Sequence, residues 1–472
     1  MDSGAFEGMP EQIRHDGLSL WRAARLMLAA VAFLLACSKP ITPAAADVLP
    51  RTSWLGIQAT PLPDGGRRVD AVLPDSTAAS LGLRNGDVIP QGVDAQPWFT
   101  PGAAPAAGSR VKLPVVRGGK PVALSGTARA RPLESYVGGE TRYGSVAFGG
   151  GLLRDILVTP RGVAAPPVVF AIQGVDCGSV DTPNPASVWR RIGQALIDAG
   201  YGYYRVEKPG VGDSRGGAAC QAIDYAQEIA AFRAAYRHLT DDLGVSRSRI
   251  FLFGISMGGV HAPQLAAEVA PRGVAVWGTV IRNWGDYWHD LDTYQGFLLS
   301  GLDPVEESRK AERYRAMLNL FYFSGQAPAS IAAAHPEMAD AMRDTLGWDG
   351  AEHMSGRHWR YFQQLPGVNL FEAWSKVKAP VLSLYGDSDV IALSGFDQRI
   401  IADLVNHYRP GTAEFRAVPE TDHFMRRIGP REAIRAAAIS KQPASADFNP
   451  AVVAALIAWV RDVLAKPVAA TG

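Results

Sequence analysis

The chain has 472 residues, 47% of them apolar, so it can bury a large core, and its length points to two domains or more. Its 47 basic and 46 acidic residues nearly cancel. That balance excludes a broad electrostatic field suited to nucleic acid or an anionic membrane surface, and leaves a small-molecule or peptidic partner.

Residues 1–46 read as an export signal. Arg14, Arg22 and Arg25 precede the apolar run "LMLAAVAFLLAC" at 26–37, and Ala44 to Ala46 offer a small-residue cleavage site before Asp47. The run is shorter than the roughly 20 residues of a permanent membrane span. A buried N-terminal helix is the alternative. "LLAC" at 34–37 also resembles a lipoprotein cleavage box, with Cys37 as the acylated residue and a membrane anchor as the consequence. Export implies a periplasmic or extracellular protein. Removing the signal leaves Cys177 and Cys220 as a single pair, which suits a disulfide in an oxidising compartment; spacing alone leaves two free thiols equally open. No CxxC or HExxH pattern suggests a metal site, and no cofactor is expected.

Residues 51–132 form a glycine- and valine-rich unit of short alternating segments. "WLGI" at 54–57, "STAASLGLRNGDVI" at 76–89 and "VKLPVVRGGKPVAL" at 111–124 resemble a bacterial PDZ domain. The resemblance implies that Leu55, Gly56 and Ile57 form a carboxylate-binding loop, and that an extended peptide adds as a strand with its C-terminus on backbone N–H groups. A β-rich spacer that binds nothing is the alternative.

"ARARPLESYVGGE" at 128–140 reads as a linker. From 141 to 466 apolar strands alternate with amphipathic helices, which predicts an α/β domain: a mostly parallel sheet with helices on both faces. A hairpin is expected over about 142–159, then strands at 167–174, 202–208, 249–254, 273–279, 379–386 and 413–418. Helices are expected over 186–199, about 222–243, after Ser256, near 394–407 and from Pro450, with Asn449 as N-cap. Between 280 and 375 the alternation stops, and an aromatic-rich, helical insert reads as a lid over the C-terminal edge of the sheet.

"FLFGISMGG" at 251–259 fits G-x-S-x-G between a strand and a helix, the setting of a nucleophile elbow that holds Ser256 on a sharp turn. A serine hydroxyl needs a base. His423 in "VPETDHFMR" follows the strand at 413–418, and Asp389 in "LYGDSDVIA" follows the preceding one, with Asp387 as its rival. The order Ser256, Asp389, His423 is that of α/β-hydrolases. The stretch 141–466 resembles such an enzyme with a lid, in the style of serine esterases and serine aminopeptidases; "KPGVGDS" at 208–214 resembles the glycine turn after the family's fourth strand. The resemblance implies an oxyanion hole made by the N–H groups of Met257 and Val175. One departure is Gln173-Gly174, where the family usually carries histidine and glycine. The expected activity is hydrolysis of carboxylic esters or related acyl compounds by an exported serine hydrolase. A PDZ-assisted peptidase and a non-catalytic peptide-binding adaptor are the alternatives. Arg282 is open to either an anionic group or a surface salt bridge, and His353 and His358 are expected to be ordinary lid residues.

Overall fold

The computed structural model describes residues 49–467 apart from 93–94, 101, 297–298, 300–302 and 441–446, with nothing said of the side chains of 438–440. The export signal and Cys37 lie outside the described residues.

A small antiparallel β domain comes first. β1 (Ile57–Pro61), β2 (Arg67–Val72), β3 (Val88–Ile89), β4 (Arg110–Arg117) and β5 (Lys120–Thr127) lie side by side in chain order. Along β4, Val111, Leu113 and Val115 are buried while Arg110 and Lys112 are exposed, the period of two that gives a sheet one apolar face. That face packs on Leu55, Val69, Ile89 and Leu81. Leu81 belongs to α1 (Thr77–Leu81), which Ser76 caps by accepting from Ala79 N and which Gly82 ends at φ 72°. A single turn, α2 (Gln96–Phe99), precedes β4.

The segment at 128–138, expected as a linker, is a strap that lies mostly at the surface and is pinned through the buried Ala128, Glu134 and Tyr136. Glu134 accepts from Arg205 Nη2 at 2.6 Å and from the Tyr136 hydroxyl at 2.8 Å, all three side chains being buried. Arg51 and Arg131 flank the small domain and reach across to the larger one: Arg51 pairs with Asp181 and Asp213, and Arg131 Nη1 donates to the Asp181 carbonyl at 2.8 Å. Burying such charges is tolerable only because each meets an opposite one. Composition alone could not reveal that pairing.

The large domain is built on a nine-stranded sheet, counted among the described residues. β6 (Gly139–Phe148) and β7 (Gly151–Pro160) make the opening hairpin. β8 (Val168–Ile172), β9 (Gly202–Val206), β10 (Arg215–Gly216), β11 (Ile250–Ile255), β12 (Gly273–Trp277), β15 (Val381–Gly386) and β16 (Ala413–Val418) complete the order β10-β7-β9-β8-β11-β12-β15-β16, with β6 on β7. From β9 to β16 every neighbouring pair is parallel. Parallel strands covered on both faces read as unbroken apolar runs. Alternate residues then serve opposite layers. Phe170, Ile172, Leu252 and Val276 pack with Phe232 of α4 (Tyr225–Arg237), Leu265 of α5 (Gly258–Val269) and Ile401 of α12 (Phe396–Tyr408). Val169, Ala171, Phe253 and Trp277 pack with Leu196 of α3 (Val188–Asp198) and Trp459 of α14 (Pro450–Leu464). The cap on α14 is the expected one: the Asn449 side chain accepts from Ala451 N.

The insert carries α6 (Trp284–Gln295), α7 (Pro304–Phe323), α8 (Pro328–Ala334), α9 (Ala339–Leu346), α10 (Trp359–Gln363) and α11 (Leu370–Lys376). It also carries a two-stranded hairpin, β13 (His353–Met354) with β14 (Arg357–His358), which the helical expectation omits. α11 packs beside α5 and α12, with Trp374 fully buried in the sheet's own core, so this end of the insert is part of the helical layer. α13 (Arg431–Ser440) lies between β16 and α14 in the chain.

Candidate active site

β11 delivers Ser256 to a sharp turn at φ 55°, a region that side-chain-bearing residues rarely occupy and that stores strain. Two backbone bonds hold it there: Ser256 N donates to Trp277 O at 2.8 Å, and Gly259 N donates to Ser256 O at 2.8 Å. The flanking glycines answer to space. A Cβ on Gly254 would lie 2.4 Å from the Gly258 carbonyl oxygen, and one on Gly258 would lie 2.0 Å from that of Ile172. Because the second obstacle is backbone inside a sheet, Gly258→Ala is expected to destabilise the protein by at least about 2 kcal/mol, read from the thermal midpoint.

His423 sits on the loop after β16, and its Nδ1 lies 2.8 Å from Asp389 Oδ2. Asp389 is fully buried; its other oxygen accepts from Ile391 N at 2.7 Å and Ala392 N at 2.8 Å, which locks the carboxylate toward the ring. The rival, Asp387, instead accepts from Glu420 N at 2.6 Å and shapes the histidine loop. Burial by itself would depress the His423 pKa, but the Asp389 charge and hydrogen bond, with Asp422 nearby, leave it above its ordinary value.

Trp277 and Gly278 connect the two halves of this arrangement. The Trp277 carbonyl receives Ser256 N, while its indole N–H donates to the His423 carbonyl at 2.9 Å. A Cβ on Gly278 would lie 3.0 Å from His423 Nδ1 and 3.1 Å from Asp389 Oδ2. Gly174 faces the elbow from the other side, where a Cβ would lie 3.4 Å from Ser256 Cβ and 3.8 Å from Oγ. The Ser256 hydroxyl itself makes no hydrogen bond among the described residues, and such contacts often tighten only when substrate is bound.

Val175, on the turn after β8, and Met257, at the start of α5, have N–H groups that donate to no protein acceptor among the described residues. Met257 directly follows Ser256, and Val175 directly follows Gly174, which faces the Ser256 side chain. Gln173 is buried and donates from Nε2 to Val206 O at 3.3 Å, tying β8 to β9.

Cys177 and Cys220 form a disulfide, with Cα atoms 5.8 Å apart. The bridge fastens the turn carrying Val175 to the segment before α4. Closing a loop across 43 positions is worth about 2–4 kcal/mol, so the Cys177→Ser/Cys220→Ser pair is expected to lower the thermal midpoint by several degrees, as would a reductant on the wild type.

Leu55, Gly56 and Ile57 stand apart from Ser256, at the start of β1. Leu55 O accepts from Ala78 N and Gly56 O from Leu73 N, each at 2.9 Å, while the N–H groups of Leu55 and Gly56 donate to no protein acceptor among the described residues. A cavity of about 240 Å³ brings Trp54 and Leu55 together with Trp98, Arg131 and Cys177. Arg282 is engaged in salt bridges to Asp397 at 2.8 Å and to Asp290. His353 pairs with Asp349 at 2.9 Å, and His358 caps α10 through Arg360 N. Three residues that sequence reasoning did not single out, Glu228, His261 and Arg357, are buried beside the elbow. Their charge and burial become informative only once the chain is folded.

No curated relative matches the chain. Among solved structures, it is similar to the esterase Est1E of Butyrivibrio proteoclasticus bound to ferulic acid, at 15% identity and TM-score 0.42, over 68% of this chain and 99% of that one. It is also similar to DcsB in complex with a substrate analogue, at 16% identity and TM-score 0.42, over 69% and 100%. The esterase Pf2001 of Pyrococcus furiosus follows at 13% identity and TM-score 0.39, over 71% and 95%. A family model described as alpha/beta hydrolase fold matches residues 177–425, just over half of the chain. Those residues run from the turn beside Ser256 past His423, and with the parallel sheet and the glycine-flanked elbow they make the chain a member of the alpha/beta hydrolase fold family.

Proposed function

We propose that the protein is an exported serine hydrolase that cleaves carboxylic esters or related acyl compounds. Ser256 attacks the carbonyl, His423 takes its proton and passes it to the leaving alcohol, and Asp389 fixes the imidazole and stabilises its cation. The N–H groups of Met257 and Val175 receive the negative oxygen of the tetrahedral intermediate. Water then repeats the sequence on the acyl-enzyme and frees the acid. The observation that carries this reading is the left-handed Ser256 elbow joined through Trp277 and Gly278 to a His423–Asp389 pair at 2.8 Å.

The small domain supports a second reading, in which a PDZ-like unit recruits a peptide and the same triad acts as a peptidase. β1 is an edge strand paired only with β2 among the described residues, and two N–H groups of the Leu55-Gly56 loop stand unengaged. The test offers the purified protein p-nitrophenyl acyl esters of several lengths beside aminoacyl and short peptide amides, with Ser256→Ala as control. Ester turnover that far exceeds amide turnover supports the main reading; comparable amide turnover moves it to a peptidase. An adaptor would turn over neither and would leave Ser256 unlabelled by a fluorophosphonate. The disulfide supports an oxidising compartment, and mass analysis of the mature N-terminus separates cleavage before Asp47 from acylation at Cys37.

A further inference from the structure

Beneath the turn that carries Val175 lies a fully enclosed cluster of charge contributed by four different parts of the chain. Lys208 follows β9, Glu228 lies on α4, His261 on α5, and Arg357 on the β14 strand of the insert. All four are buried. Glu228 is the hub: one of its oxygens contacts Lys208 Nζ at 3.1 Å and Arg357 Nη1 at 2.7 Å, and the other accepts from the Tyr361 hydroxyl at 2.9 Å and faces His261 Nε2 at 3.5 Å.

The cations of this cluster are also spent on the turn. Lys208 Nζ donates to Gly174 O at 2.6 Å and Asp176 O at 2.9 Å, and Arg357 Nη1 donates to Val175 O at 2.7 Å. In a planar trans peptide the N–H points opposite to the C=O. Holding the Gly174 carbonyl down toward Lys208 therefore turns the Val175 N–H the other way, out of the charged cluster. On the second candidate donor, His261 Nδ1 lies 2.8 Å from Met257 O, tying the start of α5 to the same hub.

We propose that Lys208 is a positioning residue for catalysis: seated on Glu228 and supported by Arg357 from the insert, it sets the Gly174–Val175 peptide plane so that the Val175 N–H meets the developing oxyanion. The inference rests on the serine-hydrolase reading above. Its weight comes from the cost of the arrangement. Burial pushes the Lys208 pKa down to about 8 despite the Glu228 charge, and burial pushes that of His261 down to about 4. An apolar cluster would pack here without those penalties, whereas rate depends on an oxyanion donor placed before the reaction starts. Because Arg357 belongs to the insert, seating of the lid and alignment of the oxyanion turn become one event.

The charge balance makes the test clean. With His261 neutral, two cations face one carboxylate, so removing either cation leaves a matched pair. Lys208→Met and Arg357→Met are each compared with wild type for kcat and KM on the best p-nitrophenyl ester, for inhibition by a trifluoromethyl ketone that mimics the tetrahedral intermediate, for fluorophosphonate labelling and for thermal midpoint. The expected result for Lys208→Met is a fall in kcat and a rise in the ketone's Ki, both of about 10–100-fold, with KM within threefold. Arg357→Met is expected to show the same pattern more weakly. Unchanged Ki and kcat in both folded variants overturn the inference. So does a loss in which Ki and KM rise together as the midpoint falls, since that is the mark of a purely structural role. If Lys208→Met does not fold, the Arg357→Met ratio of Ki to KM decides. Failure of the underlying reading looks different: wild-type protein then neither labels at Ser256 nor turns over ester.

Discussion

Ser256→Ala is expected to lower kcat for ester hydrolysis by about 10⁴–10⁶-fold and to abolish fluorophosphonate labelling, with the fold intact. The methyl group occupies the same backbone site without new contacts, so the thermal midpoint should stay within a few degrees. Ser256→Gly sharpens the test, because φ 55° costs a side-chain-bearing residue energy that glycine is spared. That variant is expected to be inactive and about 1 kcal/mol more stable than wild type, the signature of strain held for chemistry rather than for folding. An inactive but clearly destabilised glycine variant would mean that the elbow is a structural turn, and residual turnover near wild type in either variant would sink the nucleophile assignment.

Asp389→Asn is expected to cost about 10⁴-fold in kcat, because the amide can no longer anchor the imidazole in the tautomer that accepts the serine proton. It should also move the pH profile in a definite direction. The base must be neutral to act, and Asp389 holds the His423 pKa above the ordinary value of about 6.5. In wild type, kcat/KM therefore falls as pH drops through that raised value. Removing the carboxylate charge leaves burial opposed only by the weaker influence of Asp422, so the acid limb of the variant should lie at lower pH. Linkage gives an independent check. A histidine whose folded pKa is raised adds stability that is fully present below the unfolded pKa and is lost as pH rises through the folded one. Wild type should thus exceed Asp389→Asn in thermal midpoint most at pH 5.5, with part of that margin gone by pH 9. An acid limb that does not move would detach Asp389 from His423.

The sequence made the central sheet and its flanking helices legible because most of those elements carry a local signal. Buried parallel strands leave unbroken apolar runs such as "VVFAI", Asn449-Pro450 announces a helix start, and glycines on both sides of Ser256 mark a turn where a Cβ would strike backbone. The strap at 128–138 and the hairpin at 353–358 carry no such signal. Nothing local marks Glu134 and Arg357 as buried; the residues that pair with them, Arg205 and Glu228, come from far along the chain.

The chain by itself thus determined the main strands and helices of the large domain, the elbow and the candidates for base and acid, because periodicity, capping and turn sterics act over a few neighbouring residues. The tertiary structure decided that Asp389 rather than Asp387 meets the imidazole, that Cys177 is bonded to Cys220, and that Lys208, Glu228 and Arg357 lie together under the turn carrying Gly174 and Val175. Those outcomes depend on distances between residues remote in sequence, which only the packing of the sheet and its helices sets.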